Sequence, residues 1–232
     1  MAVLTRPSRA IATAGGRLLA GATELIADAR AADKPLHPHG LLFRGRLVRY
    51  GAGEPTGVDW LDRPGDEEVL LRTSRAIRTP TRLPDVHGLA VRVPAGAGGF
   101  ADLLFATTAW NRFGRHLLVP TLSTGPTLTT LLPYRSVVGP VVIGARHVGT
   151  SYQLSWARVG GPWSDLGELI PDLAEAADAT VSFDPIRHSP PGLTHYGWVV
   201  RLRERSYATA RAHRDHADHP YHPDHPDEDG AR

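Results

Sequence analysis

The chain has 232 residues, of which 41% are apolar and 22% are charged, and its formal net charge is +2. It contains no cysteine, which excludes disulfides, thiolate metal sites and a cysteine nucleophile. Basic and acidic residues are interspersed rather than clustered, which argues against a nucleic-acid partner. No apolar run reaches the roughly 18 to 20 residues that a membrane span needs. Arg17 and Glu24 interrupt the apolar N-terminal stretch and no cleavage pattern follows, so we expect a cytoplasmic protein.

Residues 8–33 predict an amphipathic helix, because apolar side chains such as Leu18, Leu25 and Ile26 recur with charged residues between them. We assign residues 1–35 to this N-terminal helical segment. Its apolar face suits packing against another element or a second copy of the chain.

From Leu41 onward the pattern changes to short apolar runs bounded by Gly and Pro, which is typical of β-strands. In one run Tyr152, Leu154 and Trp156 alternate with polar residues. Eight strands at this spacing predict an antiparallel barrel or a strongly bent sheet. The predicted strands are 41–50, 68–73, 88–93, 102–107, 137–145, 150–159, 179–185 and 195–203.

Helices are predicted near 109–118, at 164–177 and after 203, so the fold class is α+β: an eight-stranded antiparallel barrel with flanking helices. We place this barrel domain at residues 36–212. The remaining residues, 213–232, carry histidine at every third position from His213 to His225. This period matches polyproline II and predicts a disordered tail, with weak divalent-metal binding as the alternative.

A few polar side chains stand in or beside apolar strands and are candidates for a functional site. His37 lies just before a strand start that is flanked by Gly40 and Gly45, glycines that allow close backbone approach. Arg203 and Tyr207 are four residues apart where the chain turns helical, so they share a face with Arg211. A guanidinium group beside a tyrosine favours its phenolate form. The structural alternatives are a hydrogen-bonded histidine and a solvated helix face.

Several of these segments resemble the haem catalases. In LHPHGLLFRGRL, His37, Gly40 and Gly45 match the family's entry strand, in which the distal histidine precedes two glycines. LRTS resembles the family's R-F-S strand and places Arg72 and Ser74 on its functional positions. PDVHGLAVRV at residues 84–93 resembles the next strand, and RERSYATARAHR at residues 203–214 resembles the proximal helix.

The resemblance implies a haem cofactor and a role for each matched residue. Tyr207 is implied as the axial metal ligand, kept deprotonated by Arg203, and an anionic oxygen ligand stabilises ferric iron. On the opposite face His37 is implied as the general acid–base catalyst, oriented by Ser74. Arg72 and Arg211 are implied as cofactor-binding residues, with Arg72 paired to a haem propionate.

One departure from the family changes the expected activity. The segment DLLFATT aligns with D-L-V-G-N-N-T, so Ala106 and Thr107 stand where the distal asparagine belongs. Without that side-chain amide, hydrogen peroxide is positioned less well, and we expect the hydroxyl of Thr107 to replace the amide only in part. The sequence therefore favours a weak peroxidase that takes electrons from an organic donor over an efficient catalase.

Two haem-free alternatives remain open, since a shared fold does not carry function. One is a small phosphodiesterase-like hydrolase that uses His37, His39 and Asp85 for acid–base or metal chemistry and Arg72 to hold phosphate. The other is a ligand-binding module whose N-terminal helix docks on a second subunit. The other histidines are assigned structural roles, with His87 expected in a loop.

Overall fold

The computed structural model describes residues 41–75, 84–96, 98–122, 127–176 and 181–201. The N-terminal helix and the histidine-rich tail that the sequence predicts lie outside these ranges. Four predicted site residues also lie outside them: His37, Arg203, Tyr207 and Arg211.

The described residues contain one antiparallel sheet of ten strands. The strands are β1 (Leu42–Arg49), β2 (Gly65–Arg75), β3 (His87–Pro94), β4 (Phe100–Thr107), β5 (Thr127–Thr129), β6 (Tyr134–Ser136), β7 (Gly139–Val148), β8 (Ser151–Arg158), β9 (Ser164–Ala176) and β10 (Thr194–His195). Eight of them close into a barrel in the order β7, β5, β4, β3, β2, β1, β9, β8, because β8 pairs back onto β7. β6 pairs with the first part of β7, and β10 pairs with β6.

The barrel interior is filled by apolar side chains at alternate strand positions, as the two-residue period of a strand requires. A short helix, α1 (Asp59–Asp62), adds the buried side chains of Trp60 and Leu61 to the same core. Arg49 at the end of β1 joins this helix to the barrel, since its guanidinium donates to the carbonyl of Trp60 at 2.6 Å. The interior strand residues include Leu47, Val69, Leu71, Leu89, Val91, Leu103, Phe105, Leu128, Ile143, Ala145, Leu154, Trp156 and Leu169.

The predicted helix at 164–177 is wrong, since these residues form the barrel strand β9. Leu166 and Leu169 are both fully buried although they are three residues apart. That spacing is typical of a helix, whereas residues three apart in a regular strand lie on opposite faces. The register against β8 shifts between Leu154 and Ser155 and leaves Leu166 without a pairing partner there. This β-bulge alters the alternation of inner and outer residues, so a strand acquires a helix-like pattern.

Two predicted strands are also wrong in their described parts. Residues 181–185 form no strand, although they are hydrogen-bonded to side chains on the outside of the barrel. At 195–203 only Thr194–His195 pairs with the sheet, and residues 197–201 are helical. β5 and β6 are three residues long, too short to give a period.

Helices are few in the part of the chain that the structure describes. Besides α1 and residues 197–201, the region predicted as helical at 109–118 contains only a 3-10 turn at Gly114–His116. The flanking helices of the predicted fold class are therefore not seen among these residues. No helix of the described ranges has the length and apolar character that crossing a membrane requires.

Candidate functional site

Three of the predicted site residues are described, and they lie on two faces of the barrel wall. Ser74 of β2 pairs with Gly88 of β3, which pairs with Ala106 of β4. Paired residues share one face of a sheet. Thr107 follows Ala106 directly, so its side chain lies on the opposite, interior face, where it is fully buried. Its hydroxyl accepts a hydrogen bond from the backbone N–H of His87 at 3.2 Å.

The outer strip, defined by Ser74, Gly88 and Ala106, is a surface without large side chains. Ser74 is exposed, and Gly88 and Ala106 are half-buried. A Cβ added at Gly88 would lie 2.7 Å from the hydroxyl oxygen of Ser74, so glycine leaves this hydroxyl its room. The strip therefore offers a flat surface to a planar group, with one hydroxyl at its edge.

Arg72 lies on the same outer face, two residues before Ser74 on β2. Its guanidinium carbon is 4.9 Å from the centroid of the Phe183 ring, a cation–π distance. One of its terminal nitrogens is 3.4 Å from the carbonyl oxygen of Val181. Val181 and Phe183 also cover an apolar patch formed with Leu42, Ala90 and Leu104. The strip thus has a positive charge and an apolar border at one end.

The ion pair between Arg92 and Asp102 fastens the segment that carries Phe183 to the barrel. Arg92 donates to both carboxylate oxygens, at 2.7 and 2.8 Å, and to the carbonyl of Ser182 at 2.6 Å. The fully buried Asp102 also accepts the backbone N–H of Asp184 at 2.7 Å. A buried carboxylate is stable only when it is paired and hydrogen-bonded in this way. These contacts hold the border of the strip in place.

On the interior face, Arg75, Asp85 and His87 form a polar group at one end of the barrel. Asp85 is fully buried, and its carboxylate lies 3.2 Å from the Nε of Arg75. His87 lies on β3 and is 7% exposed, so the expectation of an exposed loop histidine is wrong. Its Nε2 has no hydrogen-bond partner among the described residues. Pro84 and Gly88, which flank His87, are typical of loops, so no local pattern indicates a buried strand position there.

This arrangement bears on the hydrolase alternative. The structure buries the Asp85 carboxylate and pairs it with Arg75, whereas Arg72 lies on the outer face against Phe183. Of the four residues assigned to that reaction, the two that the structure describes therefore lie in different surroundings. Among the described residues, no group of three or more His, Asp or Glu side chains is placed to hold a metal ion.

Comparison with known proteins supports the fold by structure alone. No protein-family model matches the chain, and no curated protein matches it by sequence. The structure is similar to the crystal structure of a fungal catalase, with a TM-score of 0.50 and 12% identity, over 82% of this chain and 61% of that chain. The barrel has a catalase-like fold. The chain spans 61% of the length of that catalase, and at this identity the likeness concerns the fold and carries no activity.

The residues on the outer face of this catalase-like barrel fit one face of a haem group. A planar macrocycle needs a surface without protruding side chains, which Ser74, Gly88 and Ala106 form. The propionates of haem need a cation at the edge of the macrocycle, and the guanidinium of Arg72 lies at one end of the strip. The predicted axial ligand, Tyr207, and the predicted acid–base residue, His37, lie outside the described residues.

Proposed function

We propose that the protein binds haem against the outer strip of its catalase-like barrel and acts as a weak peroxidase. The observation that carries the proposal is the flat row of Ser74, Gly88 and Ala106 beside the guanidinium of Arg72. Haem, when bound, supplies the redox chemistry of peroxide reduction. The chain's own residues bind and orient the reactants and move protons.

In this proposal Tyr207 provides the phenolate oxygen that holds the metal, and Arg203 keeps it deprotonated. Arg211, which the sequence predicts on the same face of a helix, contributes to cofactor binding. Arg72 neutralises a carboxylate at the cofactor's edge. The imidazole of His37 takes a proton from peroxide and returns it to the departing oxygen, a transfer that contributes about 10²–10⁴-fold to rate. The hydroxyl of Ser74 orients this imidazole.

The composition of the strip supports a slow peroxidase over an efficient catalase. Ala106 occupies the strip position next to Gly88 and carries no hydrogen-bonding side chain. Thr107 faces the interior and contacts His87, so its hydroxyl is not on the strip. The proposed site therefore lacks a side-chain amide for peroxide on β4. An organic electron donor completes the proposed reaction.

The proposal is tested by titrating the purified protein with haemin and following absorbance near the blue end of the visible spectrum. We expect saturable binding by the wild type and peroxidase activity with a phenolic donor. Ser74→Trp places a large ring on the strip and removes binding, while the chain still folds because Ser74 is exposed. Val137→Trp is the matched control, since Val137 is 77% exposed and lies on the β6–β7 turn.

Two further variants separate binding from turnover. We expect Tyr207→Phe to lose or alter the haem spectrum, and His37→Ala to keep the spectrum and lose peroxide turnover. Wild-type turnover in both variants would contradict these roles. Equal haemin binding by Ser74→Trp and Val137→Trp would exclude the outer strip as the site.

A further inference from the structure

The barrel contains a cavity of about 260 Å³ that the proposed haem site does not use. It opens at the end where β1 begins, β9 ends and β7 turns into β8. Its wall is mainly apolar and includes Phe43, Leu71 and Leu89 from the inner faces of β1, β2 and β3. An apolar cavity of this kind in the mouth of a barrel is a common place for a small ligand.

The polar groups of the cavity come from few side chains, of which Tyr152 is the most buried. It is 7% exposed, and its ring packs edge-on against His147 with 5.1 Å between the ring centroids. Its hydroxyl makes no hydrogen bond with another described residue and is not one of the fully enclosed polar atoms, so it is accessible to a bound molecule. Burial raises the pKa of this phenol, so it stays protonated at neutral pH and is able to donate. A ligand with an acceptor oxygen in the cavity would replace water as the partner of this hydroxyl.

The two faces of β2 keep this cavity apart from the outer strip. Thr73 lines the cavity, and the next residue, Ser74, belongs to the strip. Successive residues of a strand point to opposite faces of the sheet. A ligand in the cavity therefore contacts neither the strip nor Arg72.

We propose that this cavity binds a small aromatic molecule with one oxygen-containing polar group, a phenol, whose oxygen pairs with the hydroxyl of Tyr152. The size agrees, since a dry cavity of roughly 150 Å³ accepts benzene. The aromatic rings of Phe43, His147 and Tyr152 provide edges and faces for a ring, and the threonines at positions 73 and 150 add hydroxyls. The proposal is independent of haem binding.

The test uses two fluorinated probes of the same shape, 4-fluorophenol and 4-fluorotoluene, followed by fluorine NMR on the full chain without haem. We expect the wild type to bind both in a saturable manner. Tyr152→Phe weakens 4-fluorophenol by about 5–10-fold, the size of one hydrogen bond, and leaves 4-fluorotoluene unchanged. Leu173→Trp fills the mouth and abolishes binding of both, because Leu173 lines the cavity and is 58% exposed.

Val137→Trp serves as the control for a new exposed ring outside the cavity and keeps wild-type binding. A thermal melt of each variant establishes that it is folded. The proposal is overturned if the wild type binds neither probe, or if Leu173→Trp binds them like the wild type. If Tyr152→Phe affects both probes equally, or neither, the proposed hydrogen bond is wrong.

Discussion

Asp102 of β4 connects β3 and the segment that carries Phe183 on the outer face of the barrel. Its carboxylate is fully buried and receives Arg92 on both oxygens and the N–H of Asp184 on one. Arg92 also stacks over Phe100, with 3.8 Å from its guanidinium carbon to the ring centroid. Removing one partner of a buried pair leaves the other charge without compensation, which costs more than the pair itself stabilises.

We therefore expect Arg92→Leu to lower the free energy of unfolding by about 3–5 kcal/mol. The measurement is urea denaturation followed by circular dichroism. Arg46→Ala is the matched control. The Arg46–Asp66 pair likewise joins two neighbouring strands, here β1 and β2, but both of its side chains are about half exposed. Exposed pairs contribute little, so the control stays close to wild type. Similar losses in both variants would contradict the role given to Asp102.

His116 makes stability depend on pH. Burial lowers its pKa from the ordinary 6.5, and its Nδ1 lies 2.8 Å from the carbonyl oxygen of Leu131. The unfolded chain then binds a proton at this imidazole more readily than the folded chain does. The contribution of His116 to the free energy of unfolding is therefore complete above pH 6.5 and is lost as the pH falls below that value.

We expect the protein to be less stable at about pH 5.5 than at about pH 7.5, and His116→Gln to reduce this difference. Denaturation midpoints at the two pH values provide the measurement, and an NMR titration of the His116 ring gives its pKa directly. A His116 pKa at or above 6.5 would contradict the prediction.

At this scale the family resemblance singled out Arg72 and Ser74, and the structure places both on the outer face of β2, since residues two apart in a strand point the same way. The sequence did not show that Thr107 lies on the opposite face, because the face that a β4 residue shares with β2 depends on the register of the strands between them. That register becomes visible only in the pairing of Ser74, Gly88 and Ala106. The loop assignment of His87 failed for a different reason, the turn-forming residues Pro84 and Gly88 on either side of it.

Among the elements, β1 and β9 show how glycine allows two strands to close the barrel. The sequence predicts a close backbone approach at Gly45, and the structure confirms it. A Cβ at Gly45 would lie 2.7 Å from the carbonyl oxygen of Ile170 and 3.3 Å from the Cα of Pro171. The pairing of the two strands shifts register between Phe43 and Gly45, so the contact occurs beside a bulge.

Gly45→Ala is expected to lower the free energy of unfolding by about 1–3 kcal/mol, because the backbone of β9 must move as well as the core side chain of Leu71. The measurement is chemical denaturation, with near-ultraviolet circular dichroism to detect changes in core packing. Gly53→Ala is the control: no heavy atom lies within 4 Å of a Cβ built there. We expect its effect to stay within about 0.5 kcal/mol, and a Gly45→Ala variant equal to it would rule out the close approach.

Six of the predicted strands are confirmed because their alternation is regular or their apolar runs are bounded by glycine and proline. β9 was not recognised, because its bulge places Leu166 and Leu169 at a helical spacing. The segment with Val181 and Phe183 has the alternation of a strand, but side chains of the barrel, instead of a neighbouring strand, satisfy its backbone. The local sequence pattern does not distinguish a paired strand from such a segment, since what differs is the tertiary partner of the backbone.

For the whole molecule, the prediction of an eight-stranded antiparallel barrel is confirmed, although two predicted strands are replaced by β5 and β9. Closure depends on β7 pairing with β8 and on β9 reaching β1. The first contact is a hairpin, whereas the second joins the first and the ninth strands, which are far apart in the chain. For that contact the entropy of loop closure must be overcome before pairing stabilises the fold.

We therefore expect refolding to be slow for a domain of this size, in about milliseconds to seconds. Stopped-flow tryptophan fluorescence is the measurement, because Trp60 and Trp156 belong to the barrel core and report its formation. Refolding within microseconds would contradict a mechanism limited by long-range strand pairing.

The barrel wall at β2 and β3 is a single layer of sheet, with the apolar cavity on its inner side and the outer strip on its other side. Thr73 lines the cavity and Ser74 lies on the strip, so neighbouring codons determine the chemistry of two separate surfaces. An insertion or deletion of one residue at the middle of β2 would turn every following side chain of the strand to the other side. A substitution on one surface leaves the other surface in place, whereas a single-residue insertion or deletion alters both.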